Sequence, residues 1–154
     1  MLLTDILTLE RVKVPLTAST KRGLIEELVD LAAADGSVTD SEKALQAVLE
    51  REQTRTTGIG DALAIPHGKT AAVKELTMAI GRAPQGVDFE SIDSKPVTLA
   101  ILLLSPMDKT GPHIQALARI SRLFSIESFR KKLNSAETAR ELLEIVQQQE
   151  QASP

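Results

Sequence analysis

The chain contains no cysteine, tryptophan or tyrosine, and aromatic side chains make up only 2% of its 154 residues. Without cysteine, disulfide frameworks, thiolate nucleophiles and thiolate zinc clusters are excluded. A chain of this length can bury a large hydrophobic core as one domain. We therefore expect a single domain over residues 1–154, with an ordered core over about residues 2–149 and a frayed end at Ser153–Pro154.

The sequence also has little that suggests nucleic-acid binding or insertion into a membrane. Its net charge is −3 at pH 7, and no cluster of lysine and arginine is interleaved with aromatic residues. The longest apolar run, Leu99–Leu104, is too short to cross a bilayer. The N-terminus lacks the basic and long apolar segments of a signal peptide. We expect a cytoplasmic protein that neither binds nucleic acid nor inserts into a membrane.

Hydrophobic patterns predict strands that alternate with helices. Short strands are indicated over 10–15, 63–65 and 76–80, and the apolar segment 97–104 is typical of a central strand covered on both faces. Helical spacing is found over about 24–35, 42–53, 112–124, 129–133 and 139–146. The interleaving predicts the α/β class, a small sheet with helices on both faces.

Two helix starts carry local signals. Thr39-Asp40-Ser41-Glu42 has the form of a capping box before the second helix. Gly111-Pro112-His113 opens the third helix, and proline suits the first helical position. This interpretation puts His113 in the first turn.

His67 is the leading candidate for chemistry. A polar loop with two glycines, Thr56–Asp61, leads into a short apolar strand that Pro66 stops directly before His67. An imidazole there can act as a base, a nucleophile or a metal ligand. The N–H groups and hydroxyls of the loop, notably at Thr57 and Gly58, suggest a cradle for an oxyanion. The plainer interpretation is a half-buried histidine after a turn.

His113 and Arg51 are the other candidates. His113 follows a strand-to-helix connection and falls at a helix start, which suits a phosphate or another anion. Arg51 ends the second helix just before the glycine loop, and its forked guanidinium suits a phosphoryl group. The plainer interpretations are an exposed histidine and a cation that stabilises a helix C-terminus.

Other chemistries have less support. The two histidines with Asp61 or Glu52 could supply zinc ligands, but His67 and His113 are 46 positions apart and lack the H-E-x-x-H spacing. We expect no metal and no other cofactor. The sequence has neither a G-x-S-x-G elbow for a hydrolase nor a G-x-x-x-x-G-K-[ST] loop for a nucleotide.

Several short segments, spread over nearly the whole chain, resemble one known family. They are Arg51-Glu52, Thr57–Gly60, Ala64–Lys69, Gly86–Phe89, Leu102–Pro106 and Gly111–Ile114. Together they resemble the enzyme IIA domains of the bacterial phosphoenolpyruvate-dependent sugar phosphotransferase system, in its fructose/mannitol/nitrogen-regulatory class. The segment Ile65-Pro66-His67 is the specific part of the resemblance.

The resemblance implies a three-layer α/β/α sandwich around a small mixed sheet. It implies that His67 accepts a phosphoryl group from a phosphohistidine on a small carrier, HPr or its nitrogen-branch relative. It further implies that His113 lies against His67 and that Arg51 helps to hold the phosphoryl group. From the composition of the loop, we expect Thr57 and Gly58 to bind the phosphoryl group. The chain would then be a phosphotransferase component with a phosphohistidine intermediate.

Ala62 departs from the family pattern, since many members have glycine at this position. Alanine tolerates a positive φ poorly, so the loop backbone is open to change here. We expect the site to survive because His67, Pro66, Gly58 and Gly60 remain.

The destination of the phosphoryl group has more than one interpretation. No IIB or IIC segment is apparent in the sequence, and we expect phosphorylation-dependent regulation of partner proteins, as in the nitrogen-regulatory branch. The alternative is a fructose/mannitol-type transport protein that passes the group to a separate IIB domain. An alternative of another class is a protein-binding module in which His67 is never phosphorylated.

Overall fold

A mixed six-stranded sheet organises the computed structural model, which describes residues 1–153. Its strands are β1 (Val12–Lys13), β2 (Gly58–Gly60), β3 (Leu63–Ala64), β4 (His67–Lys69), β5 (Thr77–Val87) and β6 (Val97–Ser105). The helices are α1 (Lys21–Ala33), α2 (Ser41–Thr54), α3 (Thr110–Phe124), α4 (Glu127–Leu133) and α5 (Ala139–Ala152), with 3-10 turns at Leu3–Asp5 and Leu9–Arg11. The fraying predicted for Pro154 lies outside the described residues.

Strand β6 occupies the centre of the sheet. It pairs antiparallel with β5 on one side and parallel with both β3 and β4 on the other. The strand order is β1-β5-β6-β3-β2, with β1 parallel to β5 and β2 antiparallel to β3. All of β6 except Thr98 is buried, which confirms the prediction of a central strand covered on both faces.

The two faces of the sheet bury separate hydrophobic layers. Successive side chains of a strand point to opposite faces. Ala100, Leu102 and Leu104 therefore pack with buried residues of α1 and α2. Leu99 and Ile101 pack with buried residues of α3, α4 and α5. Each fully buried leucine contributes about 2 kcal/mol to this packing. The predicted α/β/α sandwich around a mixed sheet is confirmed.

Strands β1 and β5 differ from the prediction by several residues, and β2 and β4 form where the sequence predicted no strand. Strand β5 continues past Ile80 to Val87, through a stretch that contains proline and glycine and so carries no strand pattern. The register with β6 shifts between Arg82 and Val87, and Pro84, which has no N–H for a ladder, lies in that irregular stretch. Strand β1 is shorter than predicted because Leu9–Arg11 forms a 3-10 turn.

The start of α2 corrects the predicted capping box. The N-cap is Asp40, whose carboxylate accepts a hydrogen bond from the N–H of Lys43 at 3.1 Å. Thr39 lies outside the helix, and its hydroxyl donates to the carbonyl of Ala72 at 3.0 Å. Because both Thr39 and Asp40 are good N-cap residues, the tertiary contact of Thr39 decides between them.

The remaining helices agree with the prediction apart from their ends. Helix α3 begins at Thr110, so Pro112 is its third residue and not its first. Helix α5 continues past Val146 to Ala152, with Val146 and Glu150 buried. Within residues 1–153, no helix is both long enough and apolar enough to span a membrane.

In the turn between β2 and β3, Ala62 adopts a backbone conformation that is typical of glycine. Asp61 has a φ of 57° and Ala62 a φ of 63°. Positive φ at both central residues is typical of a type I′ hairpin turn, which favours glycine at the second of them. The N–H groups of Thr98 and Leu99 both donate to the Ala62 carbonyl, at 2.9 and 3.1 Å, and hold the turn in place.

We expect Ala62→Gly to raise the free energy of unfolding by about 1 kcal/mol, because it removes the clash of an L-residue Cβ in the left-handed region. Urea unfolding followed by circular dichroism measures this change in a chain without tryptophan or tyrosine. The matched control is Ala118→Gly, at an exposed position inside α3, which should lower stability by about 1 kcal/mol. If both Ala62→Gly and Ala118→Gly lowered the free energy of unfolding, the proposed strain at Ala62 would be contradicted.

Candidate functional site

His67 lies directly after a break in strand pairing. Strands β3 and β4 pair with successive parts of β6, and Ile65–Pro66 separates them. Pro66 has no N–H to donate, although its carbonyl accepts from the N–H of Leu103 at 3.1 Å. His67 therefore begins β4, opposite Leu103, whereas the sequence predicted that it follows the end of a strand.

The side chain of His67 lies on the face of the sheet that α3 covers. The next residue, Gly68, faces α2 so closely that an added Cβ would lie 3.2 Å from backbone atoms of Ala47 and Val48. Alternation along β4 then directs His67 and Lys69 to the other face. In agreement, the ammonium of Lys69 donates to Thr110 Oγ1 in α3 at 3.1 Å.

One hydrogen bond defines the tautomer of His67. Its Nδ1 lies 2.8 Å from the carbonyl oxygen of Ile65, which can only accept, so Nδ1 carries a proton. Burial lowers the pKa of His67 and the charge of Arg51 lowers it further, while the Ile65 hydrogen bond and Glu52 act in the opposite direction. The neutral ring keeps an unprotonated Nε2, which is a nucleophile.

His113 lies against His67. The ring centroids are 5.6 Å apart, with the planes tilted by 53°. His113 is buried, and its Nδ1 lies 2.6 Å from the hydroxyl of Ser105, the last residue of β6. Burial lowers the pKa of His113 to about 4, with smaller contributions from the charges of His67 and Lys69. The pair is therefore uncharged at neutral pH.

The helix start contributes less to His113 than the sequence predicted. His113 is the fourth residue of α3, and its backbone N–H already donates to the carbonyl of Lys109 at 3.0 Å. It therefore lies just beyond the unpaired N–H groups of a helix N-terminus. Its side chain, and not its backbone, is the group that reaches the site.

Arg51 borders a cleft beside His67. The cleft has a volume of about 290 Å³, and its lining also includes Arg55, Thr56, Thr57, Ile59, Ile65, Ile92, Leu117 and Ser121. The guanidinium donates one hydrogen bond, from Nη1 to the carbonyl of Arg55 at 3.0 Å. Since a guanidinium has five N–H donors, most of its capacity is available to an anion in the cleft.

The donors of Thr57 and Gly58 are used within the protein. The N–H and the hydroxyl of Thr57 both donate to the Glu52 carboxylate at 2.5 Å. The N–H of Gly58 donates to Thr56 Oγ1 at 3.1 Å, and a Cβ at Gly58 would lie 2.3 Å from Ser91 Oγ. These contacts favour a role in shaping the loop over the predicted role as phosphoryl donors.

Glu52 is a site residue that sequence reasoning undervalued. Its carboxylate is buried, accepts both hydrogen bonds from Thr57 and pairs with the ammonium of Lys21 at 3.4 Å. It thereby joins α1 and α2 to the loop that leads to His67. From the sequence it was noted only as a possible zinc ligand and as the neighbour of Arg51. Across residues 1–153, no three histidine or acidic side chains are grouped as a metal site.

Comparison of sequences identifies relatives of this arrangement. Residues 5–149 match the family model "Phosphoenolpyruvate-dependent sugar phosphotransferase system, EIIA 2". The fructose-specific EIIA component of Haloferax volcanii is 40% identical over 93% of this chain and 95% of its own length. A nitrogen regulatory protein of Bradyrhizobium diazoefficiens is 32% identical over 95% of each chain. The chain spans only 23% of the fructose-specific EIIABC component of Bacillus subtilis, at 35% identity over 96% of the chain.

Solved structures show the same fold. The nitrogen regulatory protein IIA-Ntr of Neisseria meningitidis superposes with a TM-score of 0.86 at 33% identity, over 94% of this chain and 98% of its own. The mannitol enzyme IIA of Escherichia coli, in its complex with phosphorylated enzyme IIB, gives a TM-score of 0.77 at 25% identity, over 92% and 97%.

We expect His113 to titrate near pH 4 and His67 below the ordinary histidine value of 6.5. Nuclear magnetic resonance can follow both rings, because the chain has only two histidines, and His67→Ala and His113→Ala assign the signals. The unfolded chain binds more protons than the folded one between these values, so the free energy of unfolding should fall as the pH drops from 6.5 towards 4.

His113→Gln serves as the control, since it should reduce this fall in stability. Titration of His113 at 6.5 or above would contradict the effect of its burial.

Proposed function

Because the chain belongs to the EIIA 2 family of the phosphoenolpyruvate-dependent sugar phosphotransferase system, we propose that it carries a phosphoryl group on His67. Members of this family are phosphotransferase components with a phosphoryl-carrier role. The observation that supports His67 is the hydrogen bond from its Nδ1 to the Ile65 carbonyl, which leaves the lone pair of Nε2 free. Arg51 borders the adjoining cleft.

The proposed step is a transfer between two imidazoles. The lone pair of His67 Nε2 attacks the phosphorus of a phosphohistidine on HPr or a nitrogen-branch relative. A nitrogen–phosphorus bond forms at Nε2 while the corresponding bond on the carrier breaks, and its electron pair stays on the carrier ring. His67 need not lose a proton, because the Ile65 carbonyl stabilises the Nδ1–H as the ring gains positive charge. Positioning and charge stabilisation supply most of the catalysis in such transfers.

Arg51 and His113 complement the phosphoryl oxygens in this proposal. The guanidinium of Arg51 supplies positive charge and the forked donors that suit phosphate. Neutral His113 lies 5.6 Å from His67 between ring centroids and can donate through Nε2. We assign Thr57 and Gly58 to the shape of the loop, through Glu52 and Thr56.

Two exposed isoleucines support docking of a protein carrier at the cleft. Ile59 and Ile92, which line the cleft, are 46% and 60% exposed. Ile114, directly after His113 in α3, is 60% exposed, and Met107, in the connection between β6 and α3, is 62% exposed. In the described part of the chain, the other exposed large hydrophobic residues are at the N-terminus. Exposed apolar side chains that line a cleft together are typical of protein interfaces.

We propose phosphorylation-dependent regulation of partner proteins as the use of the group, supported by the similarity to nitrogen regulatory proteins. Sugar transport is the second candidate, favoured by the full-length similarity to a fructose-specific EIIA component. In that case His67 passes the group to a separate IIB domain. The cytoplasmic location and the lack of a nucleic-acid partner remain predictions.

Incubation with phosphoenolpyruvate, enzyme I and an HPr-like carrier should add one phosphoryl group, measured by intact mass. His67→Ala should remove the uptake, because it removes the nucleophile. Arg51→Gln should slow it by about 10²-fold, the effect of losing one preorganised charge-stabilising group. His113→Ala should still be phosphorylated, but more slowly.

Arg140→Gln, an exposed substitution on α5, is the matched control for Arg51→Gln and should not change the rate. Equal phosphorylation of wild type and His67→Ala would overturn the proposal. A wild-type protein that no carrier phosphorylates, but that still binds protein partners, would favour the unphosphorylated binding module.

Onward transfer separates the two uses of the phosphoryl group. If the protein is regulatory, phosphorylated protein mixed with fructose-type and mannitol-type IIB domains should keep its phosphoryl group. It should then bind a different set of cellular proteins from the unphosphorylated form. Rapid transfer to either IIB domain, measured by intact mass of both proteins, would instead establish the transport function.

A further inference from the structure

We propose that Ser105 is a positioning residue that holds His113 in the tautomer with its proton on Nε2, so that this ring presents an N–H donor to the phosphoryl group on His67. The role in transfer rests on the proposed function. The assignment of the proton rests on the hydrogen bonds of Ser105 alone.

Ser105 is a polar residue at the end of a strand that is apolar apart from Thr98. Its side chain is fully buried, with 0% exposure. Its carbonyl accepts from the N–H of Thr70 at 2.8 Å, which ties the end of β6 to the residue after β4. Its hydroxyl lies 2.6 Å from Nδ1 of His113, and within residues 1–153 the hydroxyl makes no other hydrogen bond.

Because the Ser105 hydroxyl has no second partner, the direction of its hydrogen bond with His113 can be assigned. If Nδ1 of His113 donated to Oγ, the hydroxyl proton of Ser105 would be buried without an acceptor. A buried donor without a partner is costly, so the hydroxyl donates and Nδ1 accepts. A neutral imidazole carries one ring proton, and it must then lie on Nε2.

The tautomer matters because His113 is neutral near pH 7, and its pKa of about 4 means that only one ring nitrogen can donate. With the proton on Nδ1, the lone pair of Nε2 would be the group left for the site and would repel phosphoryl oxygens. With the proton on Nε2, the same ring stabilises them. Ser105 therefore determines whether His113 attracts or repels the phosphoryl group.

The two rings are thus held in opposite tautomers, the first by a hydrogen-bond acceptor and the second by a hydrogen-bond donor. The Ile65 carbonyl draws the proton of His67 to Nδ1 and leaves Nε2 as a nucleophile. The Ser105 hydroxyl occupies Nδ1 of His113 and leaves the proton on Nε2. One ring accepts phosphorus and the other donates a hydrogen bond, although both are neutral histidines.

Nitrogen-15 spectra of both rings, recorded near pH 7 without any phosphoryl donor, test the assignment. In wild type we expect His113 Nδ1 to resonate as an unprotonated acceptor, with a cross-peak to the Ser105 hydroxyl proton. Ser105→Ala should abolish the cross-peak, raise the fraction of His113 protonated on Nδ1 and slow phosphorylation of His67 several-fold. Ser105→Thr, which keeps the hydroxyl, should restore both readouts.

Ser91→Ala is the control for the loss of a buried hydroxyl, because Ser91 Oγ is buried without a hydrogen-bond partner in the described chain. It should leave the His113 spectrum unchanged, and circular dichroism checks that every variant is folded. A wild-type His113 protonated on Nδ1 would overturn the assignment.

A folded Ser105→Ala protein with an unchanged phosphorylation rate would overturn the positioning role. Failure of the wild type to be phosphorylated is a separate result: it overturns the proposed function and the role of Ser105 in transfer, whatever tautomer the spectra show.

Discussion

The pairing of β4 with the central strand β6 sets the position of the groups at the site. Pro66 interrupts the ladder, and His67 resumes it opposite Leu103. Gly68 lets α2 approach one face of this short strand, which leaves His67 on the other face with α3. The end of β6 supplies Ser105, and α3 then brings His113 back over the sheet. A register shift of one residue would turn His67 towards α2.

Burial of the two histidines determines their chemistry. An imidazole loses its charge readily when it is removed from water, and both pKa values are lowered for this reason. Neutral rings differ only in which nitrogen holds the proton, so local hydrogen bonds decide whether a ring acts as nucleophile or donor. Positive charge at the cleft comes from Arg51 and Arg55, while the carboxylate of Glu52 is directed to the loop and to Lys21.

Much of the architecture was predictable from the chain, and the failures have local reasons. The run Val97–Leu104 has the composition of a doubly covered strand, and it is one. The second half of β5 was missed because Pro84 and Gly86 interrupt the strand pattern, although pairing with β6 tolerates them at an irregular register. The hydrogen bonds of Thr57 to Glu52 and of Gly58 to Thr56 were not predictable from the sequence, and phosphoryl binding by Thr57 and Gly58 stays a prediction.

The sequence by itself determined the fold class, the family resemblance and the candidates His67, His113 and Arg51, because hydrophobic periodicity and short motifs are properties of neighbouring residues. Only the tertiary structure decided which groups face one another. The contact between two histidines 46 positions apart and the hydrogen bond between Ser105 and His113 depend on strand register and helix placement. Strand register and helix placement are set by packing across the whole domain, and no local pattern encodes them.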